Sequence, residues 1–111
     1  MPDSRERRVW TRYTANRTIN MSEADTEEIS WVARMLDLSK RGIGLVFKRR
    51  FEVGAKLTVE FLIEGRDEPV QLHVQVVHAD QKPDGNWYVG CELAVELSEE
   101  ELQSLLQSPP G

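Results

Sequence analysis

Apolar and polar residues alternate with a period of two in four of the six strand-like runs that turn-forming and polar stretches separate along this chain. Lys56 to Glu64 is the plainest run. Leu57, Val59, Phe61 and Ile63 share one face, Lys56, Thr58, Glu60 and Glu64 the other, and only Leu62 breaks the pattern. Three strands precede it. Tyr13 to Met21, with its β-favouring Tyr, Thr and Ile, predicts the first. Ile29 to Leu36 predicts the second, and Ile43 to Lys48 the third, with Ile43, Leu45 and Phe47 inward. The Lys56 to Glu64 run is therefore the fourth. Val70 to Ala79 is the fifth, with Val70, Leu72, Val74 and Val76 on one face. Lys82-Pro83-Asp84-Gly85-Asn86 reads as a hairpin turn, because Asp-Gly tolerates the positive φ such turns need. Beyond it Trp87, Val89, Cys91, Leu93 and Val95 alternate with Tyr88, Gly90, Glu92 and Ala94 in a sixth strand. Regular strands spaced by turn signals predict an antiparallel barrel or sandwich.

The period changes at the C-terminus. Ser98-Glu99-Glu100-Glu101 has the form of a capping box, Leu97 and Leu102 fit a hydrophobic staple, and Leu102, Leu105 and Leu106 make one apolar stripe. The three glutamates suit the positive end of a helix, and Pro109-Pro110 stops it. One helix over 98–107 is expected, lying over a barrel opening or along its side. At the other end, residues 1–12 hold Arg5, Arg7, Arg8 and Arg12 with Asp3 and Glu6 and few apolar residues beyond Val9 and Trp10. That composition predicts a flexible basic arm ahead of a domain spanning 13–108. The acidic stretch Ser22 to Glu28 lacks the Gly-containing spacing of a calcium loop and reads as a solvated loop.

Composition narrows the partners. A chain of 111 residues with 40% hydrophobic content suits one core. Its net charge of -5 is unevenly spread: residues 1–51 carry 11 Lys/Arg against 7 Asp/Glu, and residues 52–111 carry 3 against 12. An acidic chain is not expected to bind nucleic acid through bulk attraction, but a compact anion can be held where arginines gather. No apolar run approaches the roughly 20 residues of a membrane span, and no signal-peptide pattern is visible. Cys91 is the single cysteine, so a cytoplasmic setting without membrane contact is expected.

Catalytic constellations are missing from the sequence. His73 and His78 are separated by five, which predicts opposite faces of one strand, and neither has metal-ligand spacing. Cys91 falls on the inward register and reads as a buried, inert thiol. No Walker loop and no GxGxxG is present, so a binding protein is expected, with no enzymatic activity, metal or cofactor.

Binding chemistry gathers instead in Asp37-Leu38-Ser39-Lys40-Arg41-Gly42 and in the arginines upstream. An arginine fork suits phosphate oxygens and the O6/N7 edge of guanine. The Asp37 carboxylate can accept a guanine N1–H and amino N–H together, and Ser39 adds a small donor and acceptor. Gly42 permits a turn with positive φ and close approach by a flat ligand. On residue chemistry alone two readings stay open. One is a purine nucleotide site; the other is a plain turn whose Asp and Ser cap their own backbone beside a solvated arm.

Arg8-x-x-x-Arg12 followed by Asp37-x-Ser39-x-x-Gly42 resembles the two-part motif of PilZ domains, RxxxR and (D/N)xSxxG. The likeness runs on through Val32 to Gly44, the Gly54 turn, Val76-Val77, Val89 to Leu93 and the closing helix. The resemblance implies a six-stranded antiparallel β-barrel with one C-terminal helix that binds cyclic di-GMP. It implies phosphate and guanine contacts from Arg8 and Arg12, a guanine edge held by Asp37 and Ser39 with Gly42 beside them, and a further basic contact from Arg7. Trp10 or Tyr13 is a candidate for stacking on the ligand. Lys40-Arg41 makes the second motif more basic than is usual, and the acidic stretch at 23–28 is a potential competitor for the arm. The expected function is a stand-alone cyclic di-GMP receptor whose arginine arm is ordered by the ligand and which signals to a downstream protein partner. The alternatives are a PilZ-like protein-interaction adaptor independent of nucleotide, and a small barrel for single-stranded nucleic acid with Lys40, Arg41, Lys48, Arg49 and Arg50 as its rim.

Overall fold

The computed structural model describes residues 11–23, 30–62 and 67–107. Six strands, β1 (Tyr13–Glu23), β2 (Trp31–Leu38), β3 (Gly42–Phe47), β4 (Lys56–Phe61), β5 (Val70–Gln81) and β6 (Trp87–Leu93), precede one helix, α1 (Glu99–Gln107). Every neighbouring pair is antiparallel, and the order β1-β2-β3-β6-β5-β4 closes on itself through β4 and β1. This is the expected six-stranded barrel. Closure leaves no strand edge among the described strands to template association.

Alternation places the core. Ile43, Leu45 and Phe47 of β3, Leu57, Val59 and Phe61 of β4, Val74 and Val76 of β5, and Val89, Cys91 and Leu93 of β6 are all buried. The expected sixth-strand member Val95 is not: β6 ends at Leu93 and Val95 is 76% exposed. The hairpin between β5 and β6 is as the Asp-Gly pair predicts, with Gly85 at φ 93° and the Lys82 amide donating to the Asn86 carbonyl at 2.7 Å.

Three bulges alter what strict alternation would give. In β1 the register shifts between Thr14 and Arg17, where Asn16 takes a φ of 43°, a conformation asparagine tolerates better than most residues. In β2 it shifts between Met35 and Asp37. Met35 faces the core, so an unbroken strand would drive the Asp37 carboxylate inward, where an unpaired charge is costly. The extra residue turns Asp37 outward and sends Leu38 into the core at 0% exposure. In β5 it shifts between Val76 and His78, so His73 and His78, expected on opposite faces, both lie on the outer face.

Helix α1 starts as its sequence requires. The Glu101 amide donates to Ser98 Oγ at 3.0 Å and the Ser98 amide donates to Glu101 Oε1 at 2.8 Å, satisfying two amides that the first turn would otherwise leave unpaired. Leu97, Leu102 and Leu105 join the barrel core. Because the barrel is closed, the helix reaches that core through an opening, and Arg17 fixes it there. Arg17 points inward from β1 and donates to the Leu105 carbonyl and the Leu62 carbonyl, both at 3.0 Å, with its guanidinium 5.4 Å from the Phe61 ring centroid. The last turn of α1 has no basic residue of its own, so Arg17 supplies the cation that the negative helix end favours. Among the described residues no helix is long and apolar enough to cross a membrane.

Candidate functional site

The β2 bulge creates the site by presenting Asp37 on the outer wall. Asp37 pairs in register with Gly44 of β3, Gly44 with Gly90 of β6, and Gly90 with His78 of β5. The row is therefore an acid, two glycines and a histidine. At both glycines the space a side chain would fill is occupied by a neighbour. A Cβ on Gly44 would lie 2.2 Å from the Tyr88 hydroxyl and 2.6 and 2.7 Å from the Asp37 carboxylate oxygens; one on Gly90 would lie 2.3 Å from His78 Nε2. The side chains flanking the glycines lie down over their bare backbone.

Asp37 is doubly held. Arg12 forms an ion pair and hydrogen bond with its Oδ1, and the Tyr88 hydroxyl donates to Oδ2 at 3.0 Å. Burial, then the Asp37 charge and its hydrogen bond, push the Tyr88 hydroxyl up to about 12, so it remains a donor at any physiological pH. His78 stacks beside Tyr88 with centroids 5.8 Å apart and planes 28° from parallel, forming an aromatic shelf next to the acid. His78 Nδ1 lies 3.2 Å from Asp80 Oδ2.

The turn after Asp37 is locked from beneath. Ser39 Oγ accepts from the Gly42 amide at 3.0 Å and the Arg41 amide at 3.3 Å, while the Ser39 amide donates to the Gly42 carbonyl at 2.8 Å. Ser39 is only 2% exposed, so its hydroxyl shapes the turn from inside. Gly42 does not adopt the positive φ expected of it. Its missing side chain makes room instead, since a Cβ there would sit 3.1 Å from both Arg12 Nη2 and the Cys91 carbonyl. The two basic residues inside the turn are paired outward: Lys40 with Glu99 at 3.3 Å, and Arg41 with Glu92 at 3.3 Å and Glu96 at 4.0 Å. The Lys40 carbonyl also accepts from the Leu97 amide at 2.9 Å, which ties the turn to the segment leading into α1.

Of the six residues singled out from sequence, Arg12, Asp37, Ser39 and Gly42 come together here. Arg7 and Arg8 lie outside the described residues, as do most of the basic arm, Trp10, residues 24–28 of the acidic stretch and residue 29, where the second strand was expected to start. Tyr13 is 36% exposed. Tyr88, Gly44, Gly90 and His78 were not anticipated. The available signal was a polar-face position of β6 occupied by tyrosine, and glycines on the outward register of β3 and β6 where a close approach is the usual reason for glycine in a strand.

Other chemistry finds little support. Burial pushes the Cys91 thiol up to about 12, which leaves it an unreactive thiol at neutral pH. Among the described residues no group of three or more His, Cys, Asp or Glu could hold a metal ion. The basic rim considered for single-stranded nucleic acid has no free aromatic platform, because Phe47 and Phe51 are buried at 6% and 3% exposure. Arg49 instead stacks on Trp31 and Phe51, 4.8 and 4.6 Å from their centroids.

A closed six-stranded barrel with a motif turn and an arginine laid across its outer wall defines a class. The PilZ domain family model matches residues 6–108, and the chain belongs to that family. Among solved structures it is similar to the inhibitor of motility MotI/DgrA of Bacillus subtilis, with TM-score 0.64 and 18% identity over 90% of this chain. That match takes in 48% of the Bacillus protein, so this chain spans about half its length. It is also similar to the PilZ domain of YcgR from Escherichia coli, solved with c-di-GMP, with TM-score 0.62 and 14% identity over 89% of this chain and 86% of that one. At these identities the likeness concerns the fold. No curated protein matches the sequence.

Proposed function

We propose that this protein is a non-enzymatic receptor for cyclic di-GMP that signals to a protein partner. The observation that carries the reading is the Arg12–Asp37–Tyr88 cluster over Gly42 and Gly44. Membership of the PilZ family supports it, as does a similar barrel solved with this nucleotide.

The chemistry comes from the groups present. Asp37 is an acceptor-only carboxylate at neutral pH, matched to the adjacent N1–H and amino N–H donors of guanine. It is held by one charged partner that can leave and one neutral partner that need not. Arg12 is half exposed, with 51% of its side chain accessible, so its guanidinium can exchange the carboxylate for a ligand phosphate or the guanine O6/N7 edge. Tyr88 keeps the carboxylate aimed during that exchange. Ser39 holds the turn, and Gly42 keeps the floor low enough for a flat ring. Arg7 and Arg8 supply further donors to the phosphates, drawing the arm against the turn and making a new surface for a partner. The link from Lys40 to Glu99 and Leu97 offers a path from that turn to α1.

Titration calorimetry with cyclic di-GMP on the parent, Arg8→Ala, Arg12→Ala and Asp37→Ala tests the reading. Each substitution is expected to weaken binding by about 1–3 kcal/mol, the range of a bidentate charged contact. An absence of heat with the parent at both low and moderate salt contradicts it.

A further inference from the structure

We infer that the outer face of β2 and β3 is a docking groove for an acidic, partly apolar segment of a partner protein. The inference deepens the receptor reading by naming the partner surface, and its test is read without nucleotide, so either can fail alone.

An open groove of about 600 Å³ runs over this wall, lined by Val32, Arg34, Leu36, Val46, Lys48 and Lys82 among others. Its floor is apolar where a barrel's outer wall is ordinarily polar: Val32, near the start of β2, is 65% exposed, and Leu36 and Val46 are half-buried. Its rim is cationic. Among the described residues Arg12, Lys40, Arg41, Arg49 and Arg50 are ion-paired, and Arg17 is bound to carbonyls. Arg34, Lys48 and Lys82 have no carboxylate within ion-pair distance among the described residues, although the chain as a whole carries a charge of -5. Of the described cations that neither a carboxylate nor, as for Arg17, a pair of carbonyls engages, only Lys56 lies elsewhere. The rim's one carboxylate, Asp84, is engaged with its own turn, accepting from the Asn86 amide at 3.0 Å and from Asn86 Nδ2 at 3.4 Å.

Charge complementarity selects an anionic occupant, and the valine and leucine floor selects one with aliphatic side chains. Those floor residues argue for a protein segment over a nucleic acid, which would use stacking rings. The bordering Trp31 and Phe47 are turned toward Phe51 and one another, with centroids 5.7 to 5.9 Å apart. Barrel closure removes strand addition as a mode, so recognition falls to side chains on the sheet face. The β2 bulge makes the groove and the anion site neighbours in the chain: Leu36 lines one and Asp37 forms the other.

The test is selection from a random ten-residue peptide display library on the full chain without nucleotide, counter-screened on a Val32→Asp/Arg34→Glu/Lys48→Glu variant whose fold is checked by circular dichroism. All three positions are exposed, so the variant is expected to fold. Enriched peptides should combine Asp or Glu with Leu, Ile or Val. Their affinity should fall at least about tenfold on the variant and with rising salt, while Lys56→Glu leaves it unchanged. Enrichment of neutral or basic peptides, equal binding to the variant, no enrichment, or tighter groove-dependent binding of oligo-dT would each overturn the inference. Silence toward cyclic di-GMP with intact peptide binding would remove the receptor reading and leave the groove standing.

Discussion

Gly44→Ala probes the site at its narrowest point. The backbone itself accepts alanine, because Gly44 does not have a positive φ, and the change alone would stabilise the fold by about 0.4–1 kcal/mol through the unfolded chain. The contacts oppose it. The new methyl would stand 2.2 Å from the Tyr88 hydroxyl and 2.6 Å from the nearer Asp37 oxygen, roughly an ångström inside van der Waals contact. Neither neighbour can step back easily: the hydroxyl ends a rigid ring, and the carboxylate is one bond from its Cβ. The Tyr88–Asp37 hydrogen bond must break, and a bond to a charged acceptor is worth about 1.5–3 kcal/mol. The net expectation is a loss of about 1–2 kcal/mol in urea denaturation. Tyr88→Phe deletes the same bond from the other side, so the double variant should be markedly less destabilised than the sum. Strict additivity of the two substitutions, or a Gly44→Ala variant as stable as the parent, would refute this packing. Gly90→Ala makes the contrast: the atom it meets belongs to the exposed His78 ring, which can swing away, so its cost should be well below about 1 kcal/mol.

Three further outcomes are expected. Arg17→Met leaves the Leu105 and Leu62 carbonyls unpaired and should cost about 1–3 kcal/mol, with hydrogen exchange accelerated chiefly in α1; unchanged protection there would contradict the docking role. Stability should fall as pH rises above neutral. The thiol of Cys91, raised from 9.0 to about 12, and the hydroxyl of Tyr88, raised from 10.0 to about 12, both keep their protons longer in the folded state, so the stability fully present below pH 9.0 is lost progressively toward 12. Cys91→Ala with Tyr88→Phe should flatten that fall, and denaturation midpoints that do not move between about pH 8 and 11 would contradict both shifts. Cys91 should also resist alkylation in the native state and react at a rate set by unfolding, so labelling at the rate of a free peptide thiol would show the site to be open.

Strands β3 to β6 were legible because burial on one face writes itself into period-two alternation, β1 from its β-favouring residues, β2 from its largely apolar content, and the capping box because it is local. What alternation cannot show is where it is interrupted. Each bulge adds one residue and reverses the facing of the residues beyond it, and that is why His73 and His78 share a face and why β2 carries Asp37 outward. Val77-His78 reads as an ordinary strand pair in isolation, and Asp37 reads as the start of the polar turn, whereas β2 runs on to Leu38. The motif residues could be picked out because they are close in sequence to one another, whereas Tyr88 meets Asp37 across 51 positions, a contact only the β3–β6 pairing brings about. Of the two reasons the sequence offered for Gly42, the positive φ does not hold, while the room left by its missing side chain is taken up in part by Arg12.

The central claim is that Asp37, aimed by Tyr88 and released by Arg12, reads a guanine on the outer wall of the barrel. Amide chemical-shift mapping of the full chain during titration with cyclic di-GMP tests it most directly. The account predicts the largest shifts at Arg12, Asp37 to Gly42, Gly44 and Tyr88, and their loss in Asp37→Ala. Shifts concentrated elsewhere on the barrel, or none at saturating nucleotide, would contradict it.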